Sequence, residues 1–324
     1  MSAASLAARV LSRERAAVAE ALNLTEDRRA PARARLAELL AALRASGAID
    51  RAHRVGITGP PGVGKSTLVS ALVRAIRGGP SPVTVGVLAV DPSSIRSGGA
   101  LLGDRARIAP DPNDPGIFVR SLATGGELGG LARSVPAGAL VLSAAFDVAL
   151  VETVGVGQSE TDVGQVADEV AFVVQPGSGD ALQFLKAGIM ELPDVLVVNK
   201  ADQVELARRA TAELRAALAS LHRAGVGARE SPPIFATSAL DGTGVTELWT
   251  ALRAHRAALE ASGELATRRR AGSIAWGVRA FMRRHGEAGV ERLGGEEAVA
   301  RAIEARVDAG EEVPALVDAI ADAL

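Results

Sequence analysis

The 324-residue chain contains no cysteine and no tyrosine, and aromatic residues make up only 2% of it. Without cysteine there is no disulfide framework, no thiolate metal site and no cysteine nucleophile. The shortage of aromatics argues against a base-stacking platform for single-stranded nucleic acid. An excess of one charge is also missing. Lys and Arg number 36, Asp and Glu 38, and the formal net charge is -2. That balance speaks against a nucleic-acid surface and against a polybasic membrane anchor. No run of about 18 apolar residues occurs, so no membrane-spanning helix is expected. The opening "MSAASLAARVLSRERAAVAEAL" carries charge along its apolar stripe and reads as an amphipathic helix, not a signal peptide. A cytoplasmic protein is expected, with neither nucleic acid nor membrane as a partner.

The chain does have short, nearly continuous runs of Val, Ile and Leu. "RVGITG", "VTVGVLAVD", "FDVALVE", "EVAFVVQP", "DVLVVNK" and "PIFATSA" read as strands covered on both faces. Helical stretches such as 66–77 and 203–222 separate several of them. The expected fold is α/β, a mostly parallel sheet with helices on both faces and ligand sites at the C-terminal strand ends. Residues 1–50 read as an N-terminal helical segment, with Leu36, Leu39, Leu40 and Leu43 on one helix face. Residues 51–258 form the main domain. Beyond it, 272–286 reads as one helix striped by Ile274, Val278, Phe281 and Met282. Two short helical pieces follow, around 295–309 and 313–324. They have little core of their own and must pack on this subunit or on another.

"GPPGVGKST" follows the first strand and opens a helix, so the main domain reads as a P-loop NTPase. Gly59, Pro60, Pro61, Gly62, Val63 and Gly64 form the loop whose N–H groups turn toward phosphate oxygens. Lys65 offsets the β/γ charge, Ser66 offers a hydroxyl to Mg²⁺, and Thr67 continues the helix, whose N-terminus adds partial positive charge.

About 130 residues later, "VVNKAD" ends a strand with Asn199, Lys200 and Asp202. A carboxylate at a guanine edge accepts from N1–H and from the exocyclic N2–H₂, and adenine offers neither donor there. Asn199 would hold N7 and brace the P-loop, and the Lys200 stem would lie along the ring. In "ATSALDGTG" the backbone of Ser238, Ala239 and Leu240 would donate to the guanine O6. NKAD alone is a weak signal. Its distance from the P-loop and the second segment make the pattern specific, and it selects GTP and GDP over ATP.

Three carboxylates fall near the phosphates. Asp91 and Glu152 end strands, and Asp104 lies in "LLGDRARI". They would repel one another unless a cation sat among them, and Mg²⁺ with phosphate oxygens and water suits such a set. The plainer reading of Asp104 is a solvated loop charge.

These residues carry a family resemblance over nearly the whole chain. "VDPSSIRSGGALLGDR", "FVRSLATGGELGGLA", "VETVGVGQSE" and "NKAD" resemble the MeaB/ArgK GTPases, called MMAA in animals. The resemblance implies a GTP-hydrolysing chaperone of an adenosylcobalamin-dependent acyl-CoA mutase, gating cofactor loading and protecting the enzyme. It implies a homodimer helped by a C-terminal helical arm, residues 259–324. It matches Asp91, Asp104 and Glu152 to the family's magnesium and switch carboxylates. It also matches "QPGSGDALQFLKAG", 175–188, to a mobile segment in which Gln183 and Lys186 become catalytic when the partner docks. Ala181 departs from the family pattern, where some members carry an acidic residue.

The expected catalytic group is thus Lys65, Asp91, Glu152, Gln183 and Lys186. Lys186 read by itself is a solvated helix lysine. No glutamine follows the "ETVG" turn directly, so slow turnover is expected without the partner. Two alternatives are a metal-insertion GTPase and a small-molecule kinase. The first would need cysteine or clustered histidine, and His53, His222, His255 and His285 are scattered. The second is opposed by the guanine motif.

Overall fold

Alternation sets the layers of the sheet. In the strand Val148–Glu152, Ala149 and Val151 join one apolar cluster while Val148 and Leu150 join the other. A period of two with both faces buried is what a central parallel strand requires. The computed structural model describes residues 2–81, 83–91, 114–123, 132–153, 162–177, 193–223 and 231–322. Their strands are β1 (His53–Thr58), β2 (Val85–Asp91), β3 (Ile117–Ala123), β4 (Val148–Glu152), β5 (Glu169–Val174), β6 (Val195–Val198) and β7 (Ile234–Ala236). They form a parallel sheet in the order β3-β2-β4-β1-β5-β6-β7. Ile57 of β1 stands in register with Glu152 on one side and Ala171 on the other, which brings the ends of β1 and β4 together.

Helices cover both faces. On one lie α1 (Ala3–Leu11), α2 (Arg15–Glu26), α3 (Ala30–Ala45), α4 (Ala48–Arg51) and α6 (Val135–Ala145). On the other, α5 (Lys65–Arg77) and α8 (Val245–Ser262) pack on Val55, Ile57, Val87 and Leu150. The α7 helix (Val204–Arg223) covers Phe172, Val174, Leu196 and Val198. Leu36, Leu39, Leu40 and Leu43 are all buried, so the N-terminal helices are sealed to the sheet by the stripe their spacing marks. The α6 helix is apolar on every side and buried along most of its length.

The C-terminal helices are α9 (Glu264–Leu293), α10 (Glu296–Asp308) and α11 (Val313–Asp322). The helix expected over 272–286 begins earlier, at Glu264. Gly286, with φ 59° and ψ −165°, breaks it internally, a conformation that glycine adopts readily. Phe281, Val299, Ile303, Val313, Leu316, Val317 and Ile320 form a separate small core. These helices also fold back on the same subunit. The α11 helix packs on α3, Glu312 pairs with Arg44, and Arg269 clasps Asp168 through both carboxylate oxygens.

Candidate active site

The loop between β1 and α5 carries residues that only glycine serves. Gly59 has φ 137°, and a Cβ there would lie 2.1 Å from the Val173 carbonyl oxygen. Gly64, the N-cap of α5, has φ 91°, and its Cβ would lie 2.7 Å from Asn199 Nδ2. The loop is therefore pressed between β5 and the base motif, with side chains absent at the two points of closest approach. Lys65 opens α5 and is buried. Its Nζ donates to the carbonyls of Gly59 at 2.8 Å and Pro60 at 3.0 Å, so the ammonium arches over the loop.

Glu152 lies where the β1–β4 register puts it, beside the start of α5. The Ser66 Oγ donates to Glu152 Oε1 at 2.7 Å, and both side chains are buried. Behind them the hydroxyls of Thr58 and Thr153 share a hydrogen bond of 2.8 Å, and Thr153 N donates to Ile57 O. That threonine pair ties the ends of β1 and β4 and was not anticipated. The signal available was a threonine closing one motif-bearing strand and another directly following the second.

Asn199 acts as a brace. Its Nδ2 donates to Val63 O at 2.9 Å, while its Oδ1 accepts from Ala239 N and from Thr237 Oγ1, each at 3.3 Å. One amide thus joins the phosphate loop to the 237–240 turn. Lys200 adopts φ 61°, unusual for a side-chain-bearing residue. Its Nζ donates to Gly62 O at 2.9 Å and to the side-chain oxygen of Gln175. Asp202 Oδ1 accepts from Ser238 Oγ at 3.2 Å, which aims the carboxylate at the same turn. Ser238 and Ala239 are buried, whereas Leu240 is 77% exposed.

The structure brings Ser66 and Glu152 together at the start of α5 with Lys65 arched over the loop, and gathers Asn199, Lys200, Asp202 and Ser238 around Gly62–Gly64 of the loop and the 237–240 turn. The Asp91 backbone ends β2, next but one to β1 in the sheet. Asp104, Gln183 and Lys186 lie outside the described residues.

A glycine loop from strand to helix, a lysine arched over it, a serine–carboxylate pair and an Asn-Lys-x-Asp turn braced to the loop define a P-loop GTPase. The family profile described as "Methylmalonyl Co-A mutase-associated GTPase MeaB" matches residues 18–287, and the chain belongs to that family. A probable GTPase of Mycobacterium tuberculosis is 41% identical over 321 residues, spanning 96% of this chain and 91% of its own. The mouse protein named "Methylmalonic aciduria type A homolog, mitochondrial" is 38% identical over 275 residues, 81% of this chain and 65% of its own. Among solved structures, one titled "LAO/AO transport system kinase" superposes with a TM-score of 0.66 at 30% identity, covering 90% of this chain and 88% of that one. Among the described residues, no helix is long and apolar enough to cross a membrane.

Proposed function

We propose that this GTPase serves a cobalamin-dependent acyl-CoA mutase, acting as a chaperone for assembly, cofactor loading and protection. The observation that carries this reading is the match of residues 18–287 to a mutase-associated family. A homodimer and a cytoplasmic setting accompany it. The 1–50 segment, the 51–258 GTPase domain and the 259–324 arm are its working parts, the arm holding the dimer.

The nucleotide is GTP, and hydrolysis yields GDP and phosphate when water attacks the γ-phosphorus and the bond to the β–γ bridging oxygen breaks. The loop amides and the start of α5 bind the phosphates. Lys65 exchanges the Gly59 and Pro60 carbonyls for phosphate oxygens. Asp202 reads the guanine edge, and Asn199 keeps the base turn and the phosphate loop in one frame. The Ser66 and Glu152 oxygens are hard donors at the loop, the kind that Mg²⁺ prefers, and their buried contact fits such an ion. Ser66, Glu152, Asp91 and Asp104 would hold it, the carboxylates in part through water. Bound Mg²⁺ supplies positive charge against the phosphate oxygens. Gln183 and Lys186 complete the site when the mutase docks.

The test is complex formation. Size-exclusion chromatography of this chain with a purified methylmalonyl-CoA-type mutase should give a joint peak whose amount depends on whether a non-hydrolysable GTP analogue or GDP is present. Independent elution under every nucleotide condition, for each acyl-CoA mutase of the same cell, would refute the partner.

A further inference from the structure

On the reading that Ser66 and Glu152 hold Mg²⁺, we propose that Thr58 and Thr153 form a positioning pair that sets the Glu152 carboxylate for that ion. Neither threonine belongs to the phosphate loop or to the base motif. Thr58 closes β1 directly before Gly59, and Thr153 directly follows Glu152 at the end of β4. Both are 1% exposed. Their Oγ1 atoms lie 2.8 Å apart, so one hydroxyl donates to the other.

Strand alternation shows which side of the sheet this contact occupies. Val148 and Leu150 belong to the apolar cluster that α5 covers. Glu152, two residues further on, points to the same face and meets Ser66 of α5 there. Ile57 joins that cluster as well, so its neighbour Thr58 points to the opposite face, where Thr153 meets it. The meeting ends of β1 and β4 are thus tied on both faces, by Ser66 with Glu152 on one and by the two threonines on the other. The backbone agrees. The register pairs Ile57 with Glu152, and Thr153 N donates to Ile57 O at 3.1 Å, which carries the pairing one step past the carboxylate.

Glu152 and Ser66 reach each other only if the end of β4 keeps its place against β1, because β1 leads through the loop into α5. A small displacement of a group that must meet a ligand is costly to function. Two valines would fill nearly the same space without burying a hydroxyl, which costs free energy unless it is bonded. The threonines therefore supply a directional bond between the strand that ends in the metal carboxylate and the strand that ends in the phosphate loop.

Substitution separates that bond from the volume. Thr58→Val/Thr153→Val removes both hydroxyls together, so no buried donor is left without its partner. Thr153→Ser keeps the hydroxyl and loses a methyl. Mn²⁺ serves as the probe in place of Mg²⁺, added to the GDP complex, with free Mn²⁺ read by electron paramagnetic resonance. The double valine variant should bind Mn²⁺ about fivefold or more weakly than the parent, and Thr153→Ser within about twofold of it. GDP affinity in EDTA, measured by calorimetry, should stay within about twofold of the parent in both variants. Glu152→Gln is the control for the metal reading itself. Parent-like Mn²⁺ affinity in the double valine variant, with Glu152→Gln weakened, overturns the positioning role and leaves the metal assignment standing. Parent-like affinity in both defeats the metal assignment, and the positioning role with it. An equal loss in Thr153→Ser, or a matching loss of GDP affinity in EDTA, would also overturn the proposal, since packing alone would then explain the effect. Should the double variant fail to fold, Thr153→Val is compared with Thr153→Ser by the same criteria.

Discussion

Ser66 gives its hydroxyl hydrogen to Glu152 across the start of α5, at 2.7 Å, and the two lie in different segments joined by the pairing of β1 with β4. A carboxylate buried at the end of an apolar strand is costly unless something answers its charge. At this position the serine hydroxyl does so, and these two side chains are the ones proposed to hold Mg²⁺.

Removing the charge while keeping the shape tests that role. Glu152→Gln should fold and keep most of its GTP affinity, while Mg²⁺-dependent turnover falls on the order of tenfold or more. Lys65→Ala should do greater damage to binding itself, because one ammonium serves two phosphates. Single-turnover hydrolysis and calorimetric titration separate the two effects. Parent-like turnover in Glu152→Gln would reduce the carboxylate to a structural group.

The proposed site makes Asp202, held toward the 237–240 turn by Ser238, the residue that reads the base. Asp202→Asn should weaken GTP on the order of 100-fold, since two donors of guanine lose a charged acceptor. Xanthosine triphosphate should gain, because the new amide donates where xanthine accepts. Calorimetry with GTP, ATP and xanthosine triphosphate is the measurement, and equal GTP and ATP affinity in the parent would defeat the assignment.

Asp168 fastens the C-terminal helices to the sheet. Its side chain is 0% exposed and accepts from Arg256 at 2.8 Å, from Arg269 at 2.7 and 2.8 Å, and from the Arg54 backbone at 2.9 Å. Burial opposes its charge most strongly, yet the hydrogen bonds and charges of Arg269 and Arg54 together outweigh that and hold the carboxyl below its usual range. Asp168→Ala leaves buried guanidinium groups without their anion and should cost about 3–5 kcal/mol in urea denaturation. A loss under about 1 kcal/mol would mean that the arginines find other partners.

His255 gives the fold a pH dependence. Glu169, bonded to its Nδ1 at 2.8 Å, raises its pKa above the ordinary 6.5; burial and Arg268 oppose the shift, and Asp194 supports it. Glu169 also holds His53, which stacks on Trp249. A raised folded pKa means that the contribution is full below 6.5 and fades as pH rises through the folded value. The melting-temperature advantage of the parent over His255→Gln should therefore shrink from about pH 6 to about pH 8.5. A constant difference across that range would contradict it.

The sequence makes the phosphate loop, the base motif and the central strands legible because each couples a local pattern to a chemical need. Two elements escape it. The α6 helix, "VPAGALVLSAA", is apolar all round, so it shows no helical period until neighbours on every side are known. The β3 strand carries Arg120 within "IFVRSLA", and that charge hides it; in the fold Arg120 reaches Asn23 and Glu26 of α2 instead of solvent alone. The internal braces are invisible for another reason. Thr58 with Thr153, Lys200 with Gln175, and Glu169 with both His53 and His255 join residues far apart in the chain, and no local spacing announces them.

The most direct test of the account is single-turnover GTP hydrolysis with and without a cobalamin-dependent acyl-CoA mutase, for the parent and for Lys186→Ala. The account predicts slow turnover alone, acceleration of the parent on the order of tenfold or more when the mutase is added, and loss of most of that acceleration in Lys186→Ala with basal rate and GTP affinity nearly unchanged. Equal acceleration of both proteins would remove Lys186 from the chemistry. No acceleration of the parent by any such mutase from the same cell would contradict the central claim.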